Sequence, residues 1–174
     1  MNRSNNIYLV GPMGAGKSTI GKHLADTLKL RFYDTDRVIE ERSGAEISWI
    51  FDLEGEEGFR KREEALVIEL CEKHGIVLAT GGGAVVSEAN RALLSSRGVV
   101  VYLKASLEQQ IERTERDKRR PQLQVEDRKE KLEELEEDRM PLYAEVADFT
   151  IETKGKSIKT VINEIIAYLD ADDY

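Results

Sequence analysis

Residues 11–19, Gly11-Pro12-Met13-Gly14-Ala15-Gly16-Lys17-Ser18-Thr19, follow the apolar run Ile7-Tyr8-Leu9-Val10 and match the spacing G-x-x-x-x-G-K-S/T. No other stretch narrows the fold so far. The pattern calls for a buried strand, a loop whose backbone amides converge on one point, and a helix whose positive end faces that point. By chance it should arise in roughly one chain of this length in two hundred, before any strand is required in front. A glycine-rich turn without a ligand would leave the lysine in the loop unexplained. The stretch therefore reads as a phosphate site in which Gly14, Ala15, Gly16, Lys17, Ser18 and Thr19 hold a nucleotide. Lys17 would reach its β- and γ-phosphates, the Ser18 hydroxyl would ligate Mg²⁺, and Thr19 would serve the helix start or the nucleotide.

Hydrophobic periodicity extends this strand-loop-helix start along the chain. Ile20, Leu24 and Leu28 give the first helix its apolar stripe, and Arg31-Phe32-Tyr33 forms a second strand ending at Asp34-Thr35-Asp36, with a helix from Val38. Ile47, Ile50 and Phe51 share a helical face, Gly55 and Gly58 punctuate it, and Phe59, Glu63, Leu66 and Leu70 resume the period. Ile76–Ala79 and Val99–Leu103 are further strands, Ser106 to Gln109 fits a capping box, and Phe149 with Ile151 marks a last strand. Pro141 is expected to interrupt or kink the helix that carries it. Ile158, Val161, Ile162, Ile165 and Leu169 stripe the final helix. Five strands alternating with helices imply one α/β domain, a parallel sheet sandwiched between helical layers.

Composition excludes several functions. A net charge of −8 argues against general nucleic-acid binding, and no apolar run approaches the roughly 20 residues that cross a bilayer. With no signal-peptide apolar region ahead of Ile7, a cytoplasmic location is expected. The single cysteine, Cys71, cannot form an internal disulfide and reads as a packing residue; His23 and His74 have no metal-ligand spacing.

Beyond the loop, the chemistry-bearing residues are scattered. Asp34 and Asp36, two apart at a strand's C-terminal end, would share a face of an extended segment near the γ-phosphate, one on the metal shell and the other on a substrate hydroxyl. Either could instead cap the following helix. Gly81-Gly82-Gly83 closes the third strand as a plain turn, a positive-φ stretch or a close approach of backbone to ligand. Arg60 and Arg139 could fork onto a carboxylate or phosphate, or simply be solvated. The basic segment around Arg113, Arg116, Lys118, Arg119 and Arg120 reads equally as a lid over the transferring phosphoryl group or as a surface loop facing the acidic run 127–138.

Taken together, these landmarks resemble the shikimate kinase family: Gly11 to Thr19, Tyr33-Asp34-Thr35-Asp36, Gly55-Glu56-Glu57-Gly58-Phe59-Arg60, Thr80-Gly81-Gly82-Gly83, Arg119-Arg120-Pro121 and Arg139-Met140-Pro141-Leu142-Tyr143. The resemblance implies a nucleoside-monophosphate-kinase-like fold with strand order 2-3-1-4-5. It further implies ATP-dependent phosphorylation of the shikimate 3-hydroxyl in the pathway to aromatic amino acids, with Mg²⁺. By the same resemblance Asp36 binds and activates the hydroxyl, and Asp34 contacts the metal shell. Arg60, Arg139 and the backbone of Gly81, Gly82 and Gly83 hold the shikimate carboxylate, joined by Glu63 as a partner of the arginines. Arg120 acts on the phosphates together with Lys17, and Arg113 lies against adenine. A helical substrate-binding insertion at about 36–62, a lid at about 113–125 and a monomer are the matching expectations. Two positions depart from the family pattern: Gln122 stands where leucine is usual, and Met140 where asparagine is common.

The rival readings are a kinase of another small hydroxy acid or of a nucleotide on the same fold, and a GTP-dependent switch. Asp52-Leu53-Glu54-Gly55 matches D-x-x-G, but it follows a helical face and no N-K-x-D element accompanies it.

Overall fold

Alternate residues of the first strand, Ile7–Val10 (β1), serve opposite faces of the sheet: Tyr8 and Val10 enter one apolar cluster, Ile7 and Leu9 the other. All four are at most 4% exposed, as a strand covered on both sides requires. The computed structural model describes residues 5–117, 121–124 and 126–171. The elements after β1 are Lys17–Leu28 (α1), Arg31–Asp34 (β2), Thr35–Ser43 (α2), Ile47–Cys71 (α3), Ile76–Ala79 (β3), Glu88–Arg97 (α4) and Val99–Lys104 (β4). Leu107–Thr114 (α5), Arg128–Val146 (α6), Phe149–Glu152 (β5) and Ile158–Ala171 (α7) complete them, with short 3₁₀ turns at Ala84–Val86 and Pro121–Leu123.

The five strands form one parallel sheet of order β2-β3-β1-β4-β5, the order that the family resemblance implies. β1 lies at its centre, with Tyr8 opposite Leu78 on one side and Val100 on the other. One face packs Tyr8, Leu78 and Val100 against Phe59, Leu66 and Leu70 of α3, Leu94 of α4 and Tyr143 of α6. The other packs Leu9, Val77 and Val101 against Ile20 and Leu24 of α1 and Val161 and Ile165 of α7. Each fully buried aliphatic side chain contributes about 1.5–3 kcal/mol, so these two layers dominate stability. Because the strands are parallel, the loops after β1, β2 and β3 emerge at one edge, where ligands of open α/β sheets bind.

Three local expectations are corrected. The helix after β2 begins at Thr35 rather than Val38: the Asp34 side chain caps it, accepting from the Arg37 N–H at 3.2 Å, so Asp36 lies in the first helical turn. Asp34 and Asp36 therefore do not share the face of an extended segment. Pro141 does not interrupt α6, which runs from Arg128 to Val146. Its missing N–H costs one helical hydrogen bond, while Leu132, Arg139, Tyr143 and Val146 bury one side of the helix and hold it together. Of the two glycines in α3 only Gly55, at φ 72° and ψ 177°, leaves helical geometry; Gly58 is helical. The kink separates an outer segment, on which Trp49 and Leu53 are exposed, from the segment that buries Phe59, Glu63, Leu66 and Leu70. The helix α4 carried no marked sequence signal; its Ser87 cap, accepting from the Asn90 N–H at 3.2 Å, is the cue. The Ser106–Gln109 capping box forms as expected. Cys71 is buried, as a packing residue should be, and His23 and His74 are exposed.

Candidate active site

The loop from Gly11 to Gly16 wraps around the β1 end because Gly14 and Gly16 take left-handed conformations, at φ 78° and 90°. A side chain at Gly14 or Gly16 would add strain there and turn the amides away from their common centre. Lys17 is 9% exposed and arches back over the loop, its Nζ donating to the Gly11 carbonyl at 2.6 Å and the Pro12 carbonyl at 2.8 Å. The ammonium is thus fixed above the concavity at the positive end of α1. Ser18 and Thr19 are exposed to the same cavity, whereas the Ala15 methyl is buried in the core, so only the Ala15 backbone can serve a ligand. Arg113 reaches the loop from α5, its Nη1 donating to the Gly14 carbonyl at 2.6 Å.

Ser18 Oγ donates to Asp34 Oδ2, which ties the first helix to the end of β2. A hydroxyl and a carboxylate in contact are hard oxygen donors of the kind Mg²⁺ takes. Among the described residues no cluster of three or more His, Cys, Asp or Glu side chains could hold a metal unaided. An Mg²⁺ here would take its remaining oxygens from phosphate and water, its usual habit in kinases.

A second cavity opens beside the first, lined by Asp36, Arg60, Glu63, Gly81 to Gly83 and Arg139. Its back wall is the triple glycine, whose backbone is pinned at two points. Gly81 N–H donates to the Thr35 hydroxyl at 2.9 Å, and the Tyr143 hydroxyl donates to the Gly82 carbonyl at 2.6 Å. None of the three glycines has positive φ. Two of them are in close contact with side chains: a Cβ on Gly83 would displace the Arg60 guanidinium, and one on Gly81 would lie 2.9 Å from Asp36 Oδ1, whereas one on Gly82 would meet nothing closer than 3.5 Å. Of the readings open for this stretch, positive φ is excluded; the stretch is a turn, Ala84 N–H donating to the Gly81 carbonyl at 3.1 Å, packed against side chains of the cavity.

Arg60 donates from Nη1 to Glu63 Oε1 at 2.8 Å, and Glu63 is 1% exposed. Burial pushes the Glu63 carboxyl up to about 7; the adjoining Arg60 opposes that rise, Asp36 adds to it and Arg139 opposes it. Arg139 is 5% exposed, and burial lowers its pKa. Arg60 Nε and Glu63 Oε2 are buried without a hydrogen-bond partner. A polar ligand in this cavity would meet two guanidinium groups able to fork onto a carboxylate.

The two cavities share a wall made of Asp36, Ile47, Gly81 and Gly82. The fold therefore brings the loop residues, Asp34, Asp36, Arg60, the glycines, Arg113 and Arg139 to one region. Arg120 lies outside the described residues, as do Lys118 and Arg119. Sequence reasoning passed over Thr35 and gave Tyr143 no role in the site. Thr35 sat unnoticed between two aspartates, and Tyr143 lies one helical turn after Arg139, a spacing that puts both on one face.

A family model described as shikimate kinase matches residues 13–170. The shikimate kinase of Vibrio cholerae serotype O1 is 59% identical over 170 residues, covering 98% of each chain. That of Legionella pneumophila strain Corby is 60% identical over 164 residues, covering 94% of each. Among solved structures, the shikimate kinase from Acinetobacter baumannii in complex with shikimate superposes with a TM-score of 0.95 at 49% identity, covering 98% of this chain and 95% of that one.

Proposed function

The chain belongs to the shikimate kinase family and phosphorylates shikimate; on that premise we propose how its residues divide the work of moving the γ-phosphoryl group of ATP to the 3-hydroxyl. The observation that carries the proposal is the wall shared by the two cavities, because a group held on the phosphate loop and a hydroxyl held among the arginines would meet at Asp36. Asp36 accepts the proton of the attacking hydroxyl and aims its oxygen at the phosphoryl group. Lys17 and the amides of Gly14, Ala15 and Gly16 hold the phosphates, and Ser18 and Thr19 complete the loop. Arg113 borders the adenine. Arg60 and Arg139 fork onto the shikimate carboxylate, with Gly81, Gly82 and Gly83 providing backbone beside it. Arg120 is assigned to the transferring phosphoryl group from the family resemblance.

Ser18 and Asp34 are the residues that would hold Mg²⁺. When bound, that ion neutralises charge on the phosphate oxygens during transfer. Segment 36–62 is proposed as the acceptor-binding insertion of a single domain and 113–125 as its lid. The net charge of −8 supports small-molecule partners over nucleic acid, and no helix among the described residues is long and apolar enough to cross a membrane. A cytoplasmic monomer completes the reading.

The deciding measurement is coupled ADP release with shikimate, quinate, gluconate and nucleoside monophosphates, each with and without Mg²⁺. Shikimate alone should stimulate release, and only with the metal present. Stimulation by a nucleotide and none by shikimate would overturn the assignment.

Glu63 adds a pH signature. A bound carboxylate beside it disfavours its ionised form, so binding favours protonated Glu63. Below about pH 7 that form is already present; above it, binding must take up a proton. The shikimate KM should therefore rise between about pH 6.5 and 8.5, by up to tenfold per pH unit at the limit. Glu63→Gln should flatten that rise; a variant with the wild-type slope would remove Glu63 from the explanation.

A further inference from the structure

Gln122 occupies the short turn Pro121–Leu123, which places it at the rim of the acceptor cavity. The turn is not loosely attached. Leu123, 3% exposed, packs with Met13 of the phosphate loop and Leu132 of α6, and the Gln124 N–H donates to the Pro121 carbonyl at 3.2 Å. From this anchor the Gln122 amide makes two bonds. Its Oε1 accepts from Arg139 Nη2 at 3.2 Å, and its Nε2 donates to Glu56 Oε1 at 3.1 Å. A guanidinium can only donate and an ionised carboxylate can only accept, so the amide can satisfy both neighbours in this orientation alone. The Glu56 oxygen that accepts from Gln122 also lies 3.4 Å from Arg60 Nη2.

We propose that Gln122 is a positioning residue that joins Arg139, Glu56 and Arg60 into one polar chain and so presets both arginines for the substrate carboxylate. The inference rests on the shikimate reading above and extends it to a side chain to which that reading assigns no role. Two features make the amide suited to the task. As a neutral acceptor it orients Arg139 through a single N–H, without the competing negative charge a glutamate would bring. As a donor it holds Glu56, which is 57% exposed, beside Arg60. A hydrocarbon side chain of the same length could do neither.

The test is steady-state kinetics of Gln122→Met and Gln122→Glu with shikimate and ATP varied separately. Gln122→Met keeps the length and removes both bonds; it should raise the shikimate KM about 5- to 20-fold, with kcat and the ATP KM within about twofold. Gln122→Glu should raise the shikimate KM further, because it repels Glu56 and pairs with Arg139 in the ligand's stead. In the Gln122→Met background, Glu56→Gln should raise the shikimate KM by a smaller factor than it does alone, since the bond that joins Glu56 to Gln122 is already gone. An unchanged or lowered shikimate KM in Gln122→Met, a Gln122→Glu variant no worse than Gln122→Met, or additive effects of the Gln122 and Glu56 changes would each overturn the proposal. Absence of shikimate turnover by the wild-type enzyme would instead sink the functional reading on which it rests.

Discussion

Replacing Asp36 by Asn is expected to lower kcat about 10²- to 10³-fold while changing the ATP KM little. The carboxylate stands over Gly81 in the wall between the two cavities, so on the proposed mechanism its loss removes the proton acceptor and leaves the hydroxyl to be aimed by a neutral amide. Phosphoryl transfer depends more on positioning and charge than on covalent help, which keeps the expected loss below the upper end of general-base effects. Stability should scarcely move. Asp36 lies in the first turn of α2, where a negative charge contributes about 0.3–1 kcal/mol through the helix dipole. Single-turnover measurements at saturating shikimate and ATP separate chemistry from product release. A kcat within about fivefold of wild type would remove Asp36 from the reacting centre.

Arg139→Ala should act on the other parameter, raising the shikimate KM about 10²-fold or more. Removing one partner of a buried, hydrogen-bonded ion pair costs about 2–5 kcal/mol, and each 1.4 kcal/mol is a factor of ten. The ATP KM should stay near wild type, because Arg139 lines the cavity beside the triple glycine and not the one around the phosphate loop. Arg139→Lys should rescue poorly: an ammonium offers one point of charge where the fork offers two parallel bonds. Arg139 is also part of the buried side of α6, so truncation to Ala should lower the thermal midpoint as well, whereas Arg139→Lys keeps the apolar stem and separates the two effects. An unchanged shikimate KM would refute the clamp.

Several elements of fold and site were legible before any coordinates. The β1 strand, the phosphate loop and α1 were legible because glycine spacing, a lysine and a hydroxyl at fixed offsets have one common physical use. The C-terminal helix was legible because Val161, Ile162 and Ile165 repeat at the helical period. Pro141 misled, since the cost of one lost hydrogen bond is local and visible, whereas the packing of Tyr143 and Val146 that offsets it is not. Asp36 misled in a similar way: its neighbour Asp34 captured the Arg37 amide and moved the helix start forward. Gln122 was visible as a departure from the family pattern, but nothing in the chain said that its amide would meet Arg139 and Glu56, 17 and 66 residues away.

By itself the sequence determined the donor half of the site, because a phosphate loop is a local structure whose φ values, amides and lysine all lie within nine consecutive residues. The resemblance carried by its scattered motifs supplied the acceptor. Only the tertiary structure decided how Asp36, Arg60, Glu63, Arg139 and the triple glycine line one cavity. Those residues come from three helices and a loop, and their separations are set by long-range packing of helices against a parallel sheet. The raised Glu63 carboxyl belongs to the same category, since desolvation depends on what surrounds a side chain in space rather than on what flanks it in the chain.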